Sequence, residues 1–273
     1  MAKNSYKLLV IDVDGTLVGR DGNILPEDRE ALARAADLGV EISLSTGRAA
    51  QACFGIINDL VLDGYHIFFD GALVSSPVQN KEIYAHPLSG TVVKQAVEFA
   101  RLNDISIDFY SATDYFIERE TWSSTVHRDF FGVLPTIVDF TGLWLRERII
   151  KGGIVATSPQ EVAKARNFHH EFNDSLYFSW VKTPTYPEID FINVVAPGVS
   201  KAKALKALAS HLGIALTDVI AIGDGTNDIS ILSSAGLAVA MGNAPAEVKA
   251  VADYVTLDVE RGGIAAAIKK FLL

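Results

Sequence analysis

Asp12, Asp14, Asp224 and Asp228 each stand just beyond an apolar run of the chain. Thr46 and Arg48 follow a strand-like segment, 40–45, and Lys201 opens a helical pattern. Four carboxylates gathered in one cleft repel each other, and some would be driven to protonate. A divalent cation resolves that conflict. An all-oxygen donor set beside phosphate describes Mg²⁺. Thr46, Arg48 and Lys201 add a hydroxyl and two positive charges, which suit the non-bridging oxygens of a phosphoryl group. Metal, cations and a free carboxylate together are the equipment for phosphoryl transfer through an acyl phosphate. Taken singly, each residue has an ordinary reading. Thr46 alone is a helix N-cap, and Lys201 alone is a solvated lysine set against the helix dipole.

The elements must bring these residues together. Residues 8–13 are a short strand whose apolar run, 8–11, breaks into Asp12, Asp14 and Gly15. Such a strand belongs in a parallel sheet buried on both faces. In open α/β sheets, ligands bind beyond the carboxyl ends of the strands. Residues 40–45 and 66–69 repeat the pattern, ending at Thr46-Gly47-Arg48 and Asp70-Gly71. A helix over 49–60 would give Thr46–Arg48 the anion-binding geometry of a helix N-terminus. Pro26 opens another helix. After Pro197-Gly198 the rhythm of strand and helix returns: a helix capped by Ser200, a strand over 218–222, then Gly223 to Asp228. Between these parts the texture changes to short strands and helices that carry Trp122, Trp144 and Trp180, read as core residues. The predicted architecture is an α/β, Rossmann-like parallel-sheet core, 1–85 and 192–273, with an α+β domain, 86–191, inserted into it. Chain crossings are expected near 85–87 and 190–195.

Composition narrows the functional classes. The 273 residues are 49% hydrophobic and 21% charged, with a formal net charge of −9. An acidic chain without a basic block is a poor general nucleic-acid binder. A phosphorylated small molecule stays compatible, because local charge at a site can oppose net charge. Cys53 is the single cysteine. It allows no intrachain disulfide and no cysteine metal site. No apolar run approaches a membrane span and the first residues lack a signal-peptide layout, so a cytoplasmic protein without a membrane partner is expected.

Four segments, in order, resemble the motifs of the haloacid dehalogenase superfamily. They are Asp12-Val13-Asp14-Gly15-Thr16-Leu17, Ser45-Thr46-Gly47-Arg48, Gly198-Val199-Ser200-Lys201 and Gly223-Asp224-Gly225-Thr226-Asn227-Asp228. Ala240-Met241-Gly242-Asn243-Ala244 and residues 252–256 are similar to the tail of its Cof-type phosphatases. The inserted module lies where that subfamily carries a large α+β cap. The resemblance implies a Mg²⁺-dependent phosphatase acting on small phosphorylated metabolites. Asp12 would be the nucleophile and Asp14 the general acid and base. Asp12, Asp224, Asp228 and the Asp14 carbonyl would hold the metal. Thr46, Gly47, Lys201 and Asn227 would serve the phosphoryl group, with Arg48 beside them. Two positions depart from the pattern: Asp70 stands where asparagine is common, and Ala202 where glycine is. An amide can donate to phosphate, whereas an ionised carboxylate cannot. The same equipment would also serve a phosphotransferase or phosphomutase, or an idle phosphometabolite-binding protein. The presence of both Asp12 and Asp14 argues against the last.

Overall fold

The computed structural model describes residues 6–183 and 186–273. In chain order it begins with β1 (Leu8–Ile11), α1 (Pro26–Asp37), β2 (Glu41–Leu44), α2 (Phe54–Asp59), β3 (His66–Phe68), β4 (Leu73–Ser76) and β5 (Lys81–Ala85). The middle contains α3 (Gly90–Leu102), β6 (Asp108–Tyr110), β7 (Tyr115–Ile117), α4 (Trp122–Phe131), β8 (Thr136–Ile137), α5 (Leu143–Arg146), β9 (Lys151–Ala156), α6 (Pro159–Phe172), β10 (Tyr177–Thr183) and β11 (Tyr186–Val195). Then come α7 (Lys201–Leu212), β12 (Val219–Gly223), α8 (Ile229–Leu232), β13 (Leu237–Ala240), α9 (Ala246–Lys249), β14 (Tyr254–Val255) and α10 (Gly263–Phe271).

Two compact units result. The first runs to Arg48 and resumes over Phe54–Tyr84 and Ser200–Leu273. Its main sheet has the order β14-β13-β12-β1-β2, and every pairing in it is parallel. Both faces are covered. Leu8 and Val10 meet Ala204, Leu205 and Leu208 of α7 on one side. Leu9 and Ile11, which point the other way along a pleated strand, are equally buried. That explains why these strands read as continuous apolar runs rather than alternating ones.

Strand order sets the site. From β1 the chain steps outward to β2, and it returns later to lay β12 on the opposite side of β1. The connections leaving β1 and β12 therefore diverge, and a crevice opens beyond their carboxyl ends. The Asp12 amide donates to the Ile222 carbonyl at 2.9 Å, which pins the end of β1 to that of β12.

The second unit comprises Ala49–Cys53 and Ala85–Val199. It carries a mixed sheet, β10-β11-β9-β6-β7-β8, and a core of Val93, Val97, Phe109, Phe140, Phe168 and Ile192 among others. Trp144 and Trp180 pack against this core, whereas Trp122 is 38% exposed and meets Tyr186 edge to face.

Two expectations need correcting. The helix read over 49–60 is shorter: Gln51–Cys53 form a 3-10 turn and α2 starts only at Phe54. Here the Ala52 and Cys53 amides donate to the Ala49 and Ala50 carbonyls three residues back, the tighter 3-10 pattern in place of the α-helical one. Thr46–Arg48 is accordingly a loop with no α-helix starting behind it. Residues 190–195 lie inside β11, so the second crossing follows at Val199, and 192–199 group with the second unit.

Candidate active site

Three loops and one helix start converge beyond the carboxyl edge of the main sheet. Asp12 is 8% exposed and Lys201 1%. The Lys201 ammonium donates to Asp12 Oδ1 at 2.7 Å, Asp228 Oδ1 at 2.5 Å and the Ser45 carbonyl at 3.0 Å. One cation thus ties together the ends of β1 and β2 and the loop after β12. Ser200 caps α7 by accepting from the Lys203 amide, which leaves Lys201 as its first residue. The helix dipole and burial both oppose a charge there. Asp12 and Asp228, then Asp70, outweigh the burial and hold the ammonium above its ordinary pKa.

The carboxylates are arranged unequally. Asp228 accepts from Lys201 with one oxygen and from the Asp224 and Gly225 amides with the other, at 3.1 and 2.9 Å. Asp224 accepts from the Thr16 hydroxyl at 2.7 Å and from the Asn243 amide at 3.1 Å. Gly15, at φ +85°, lets the first loop press against that carboxylate, since a Cβ there would sit 2.9 Å from Asp224 Cγ. A side chain at position 15 would be strained as well as crowded.

Asp12, Asp224 and Asp228 offer oxygens that all lie within 4.8 Å of one another. Burial, then Asp228, pushes the Asp12 carboxyl well up, with Lys201 opposing. Burial likewise raises Asp224 to about 6, with the Thr16 hydrogen bond opposing and Asp228 adding. Three acids share one buried ammonium, so the cluster holds more negative charge than its surroundings neutralise. Oxygen donors with that imbalance fit a hard divalent cation.

Asp14 behaves differently. Its side chain is 62% exposed, and Arg48 grips it through both carboxylate oxygens, with Nε to Oδ2 at 2.9 Å and a second bond from Nη2. Arg48, placed beside the phosphoryl group by the sequence, is thus engaged with Asp14. Thr46 is buried; its hydroxyl accepts from the Arg48 amide at 3.1 Å and its amide donates to Ile67. Gly47 adjoins Asp70, and the Asn227 amide donates to Asp70 Oδ1 at 2.9 Å. The candidate site residues Asp12, Asp14, Thr46, Gly47, Arg48, Lys201, Asp224, Asn227 and Asp228 therefore all fall on this one edge of the first unit.

Asn243 had no role in the sequence reading. Its Nδ2 donates to the Gly15 carbonyl at 2.8 Å as well as to Asp224, while its Oδ1 accepts from the Val259 amide at 2.9 Å. The signal was an amide three residues past the end of β13, on the same sheet edge as the other loops.

The family model for haloacid dehalogenase-like hydrolases matches residues 9–268. A 5-amino-6-(5-phospho-D-ribitylamino)uracil phosphatase of Bacillus subtilis is 32% identical, covering 98% of this chain and 96% of its own length. A haloacid dehalogenase-like hydrolase from Bacteroides thetaiotaomicron superposes with a TM-score of 0.83 at 28% identity, over 97% of this chain and 99% of the other. A sugar phosphatase of subclass IIB superposes with a TM-score of 0.77 at 28% identity, over 97% and 98% of the two chains. Among the described residues, no helix is long and apolar enough to cross a membrane.

Proposed function

This chain belongs to the haloacid dehalogenase-like hydrolases, and from that premise we propose that it hydrolyses the phosphate monoester of a small, hydroxyl-rich metabolite through an aspartyl phosphate on Asp12. The observation that carries the reading is the buried contact between Asp12 and Lys201 at the β1–β12 crevice. Lys201 stabilises the ionised form of Asp12, the form that is nucleophilic. The substrate class is supported by the resemblance to a ribitylamino-uracil phosphatase and a sugar phosphatase, both of which act on polyhydroxylated phosphates.

In the first step an Asp12 oxygen attacks phosphorus and the ester P–O bond breaks. The departing oxygen takes a proton from the Asp14 carboxyl. In the second step Asp14, now a carboxylate, takes a proton from water as the water oxygen attacks phosphorus. The acyl phosphate bond then breaks, and inorganic phosphate and Asp12 are released. Arg48 donates to both oxygens of Asp14, so a protonated Asp14 requires one of those bonds to open. An arriving phosphoryl group offers the guanidinium another anion. Thr46, the Gly47 backbone, Lys201 and Asn227 hold that group. Asp12, Asp224, Asp228 and the Asp14 carbonyl would hold Mg²⁺, with Asp228 also bracing Lys201 and the Asp224 loop. When bound, the cation offsets the charge of the phosphoryl oxygens.

The test is phosphate release from a panel of phosphorylated metabolites, with Mg²⁺ and with chelator, for wild type and Asp12→Asn. Metal-dependent release that drops to background in the variant is expected. Normal turnover by Asp12→Asn would sink the assignment. A phosphorylated acceptor in place of free phosphate would make the enzyme a transferase.

A further inference from the structure

At the end of β3 the chain makes an uncommon turn. Phe69 and Asp70, neither of them glycine, adopt φ of +53° and +54°, followed by Gly71 at +99°. Left-handed backbone at consecutive non-glycine residues is costly and concentrates at functional positions. Here it is held on several sides. The Phe69 amide donates to the Arg48 carbonyl at 3.1 Å and the Asp70 amide to the Thr46 carbonyl at 3.0 Å. Gly71 packs onto the start of α7, where a Cβ would come within 2.7 Å of the Lys201 amide nitrogen. The turn thus sets Asp70 among Thr46, Gly47, Asn227 and Lys201, the residues to which the phosphoryl group is assigned.

Aspartate tolerates left-handed backbone, but that alone does not explain its side chain. Its bonds are not local to the turn. Oδ1 accepts from Asn227, 157 residues further along. A Cβ on Gly47 would lie 2.9 Å from Oδ2, so the phosphate loop needs glycine there for this carboxylate to fit. A carboxylate is acceptor-only and offers nothing to a phosphoryl oxygen. It takes up one of the two N–H groups of Asn227. Its charge also falls on Lys201, whose ammonium it helps to hold.

We propose that Asp70 is a positioning residue that weakens the pocket's grip on phosphate. It acts by engaging an Asn227 N–H and by setting a negative charge against the incoming anion. The proposal rests on the phosphatase reading above. Both effects have the same sign, and they act on phosphoryl oxygens shared by substrate and product. They therefore appear as uniform binding, in KM and in product inhibition, rather than in kcat. The inferred consequence is an enzyme that releases inorganic phosphate readily and works at correspondingly high substrate concentration.

The experiment is calorimetric titration of the Mg²⁺-supplemented protein with inorganic phosphate, for wild type, Asp70→Asn and Asp70→Gly. Both replacements accept left-handed backbone, so both are expected to fold, and both remove the charge. Each is expected to bind phosphate about three- to ten-fold tighter, the size of one unit charge acting over a few ångströms through a water-like dielectric. KM for the best ester should fall alongside, with kcat not raised. Affinity unchanged within about two-fold in both variants, or weakened, overturns the proposal. If wild type binds no phosphate and hydrolyses no ester, the phosphatase reading falls and takes this inference with it. If wild type does both and the variants match it, only the role of Asp70 falls.

Discussion

Lys201 is fixed by what surrounds it rather than by its own preference. At the first position of α7 it faces the positive end of the helix dipole, and only Asp12 and Asp228 make the site tolerable for a buried ammonium. Asn243 plays the complementary part for Asp224. It donates to that carboxylate and to the Gly15 carbonyl, and it is itself held by the Val259 amide. Groups that orient a metal-binding carboxylate typically account for about ten- to hundred-fold in metal affinity. Asn243→Ala is therefore expected to raise the Mg²⁺ concentration needed for half-maximal phosphate release by about ten-fold or more, with most of kcat recovered at saturating Mg²⁺. A Mg²⁺ titration of activity checks this, and an unchanged midpoint would remove Asn243 from the site.

Among the elements, β6 and α4 of the second unit share a buried polar network. Asp108 on β6 accepts at one oxygen from the Tyr115 and Ser123 hydroxyls, each at 2.8 Å. His127 stands one turn after Ser123 and meets the Tyr110 hydroxyl at 2.9 Å. Burial pushes the Asp108 carboxyl up to about 6, while the two hydroxyls oppose it. The sign follows from linkage. The folded chain binds the Asp108 proton more tightly than the unfolded chain does. This stabilisation is full below about pH 4 and is lost as pH rises through about 6, up to about 3 kcal/mol. Asp108→Asn keeps an acceptor for both hydroxyls and cannot ionise. It is expected to flatten this part of the stability profile and to match or exceed wild type at pH 7.5. Denaturant unfolding at pH 4.5 and 7.5 checks it; a variant with the same pH slope as wild type would contradict the assignment.

For the whole molecule, the acidic cluster links folding to cation and proton. Asp12 and Asp224 are both raised by burial in the protein alone. The cation-free chain therefore loses stability as pH rises through about 6, where Asp224 ionises. A cation bound by the folded form offsets that loss by mass action, and protons compete with it at low pH. Millimolar Mg²⁺ is expected to raise Tm at pH 7.5 and to raise it distinctly less at pH 5. Equal shifts at the two pH values, or none, would count against Mg²⁺ binding at Asp12 and Asp224.

The sequence alone determined what depends on local pattern. The short apolar runs that end in acids read as buried parallel strands with a site at one edge, because burial on both faces demands continuous hydrophobicity. The starts of α1 and α7 were legible from Pro26 and Ser200, since proline and serine act at helix starts through their own backbone chemistry. Asp12, Thr46, Lys201, Asp224 and Asp228 stood out as one group of candidates because their types and places in the chain suggested a shared chemistry, while Asn227 entered only through the family resemblance. The tertiary structure decided what depends on which groups meet. Only the crossing from β2 to β12 around β1 makes Lys201 a partner of both Asp12 and Asp228. Only the folded loops show Arg48 gripping Asp14, Asn243 steadying Asp224 and Asp70 facing Asn227. These are pairings between residues 34, 19 and 157 positions apart. No periodicity or turn signal encodes such distances, because hydrogen bonds between loops form only after the sheet has brought the strand ends together.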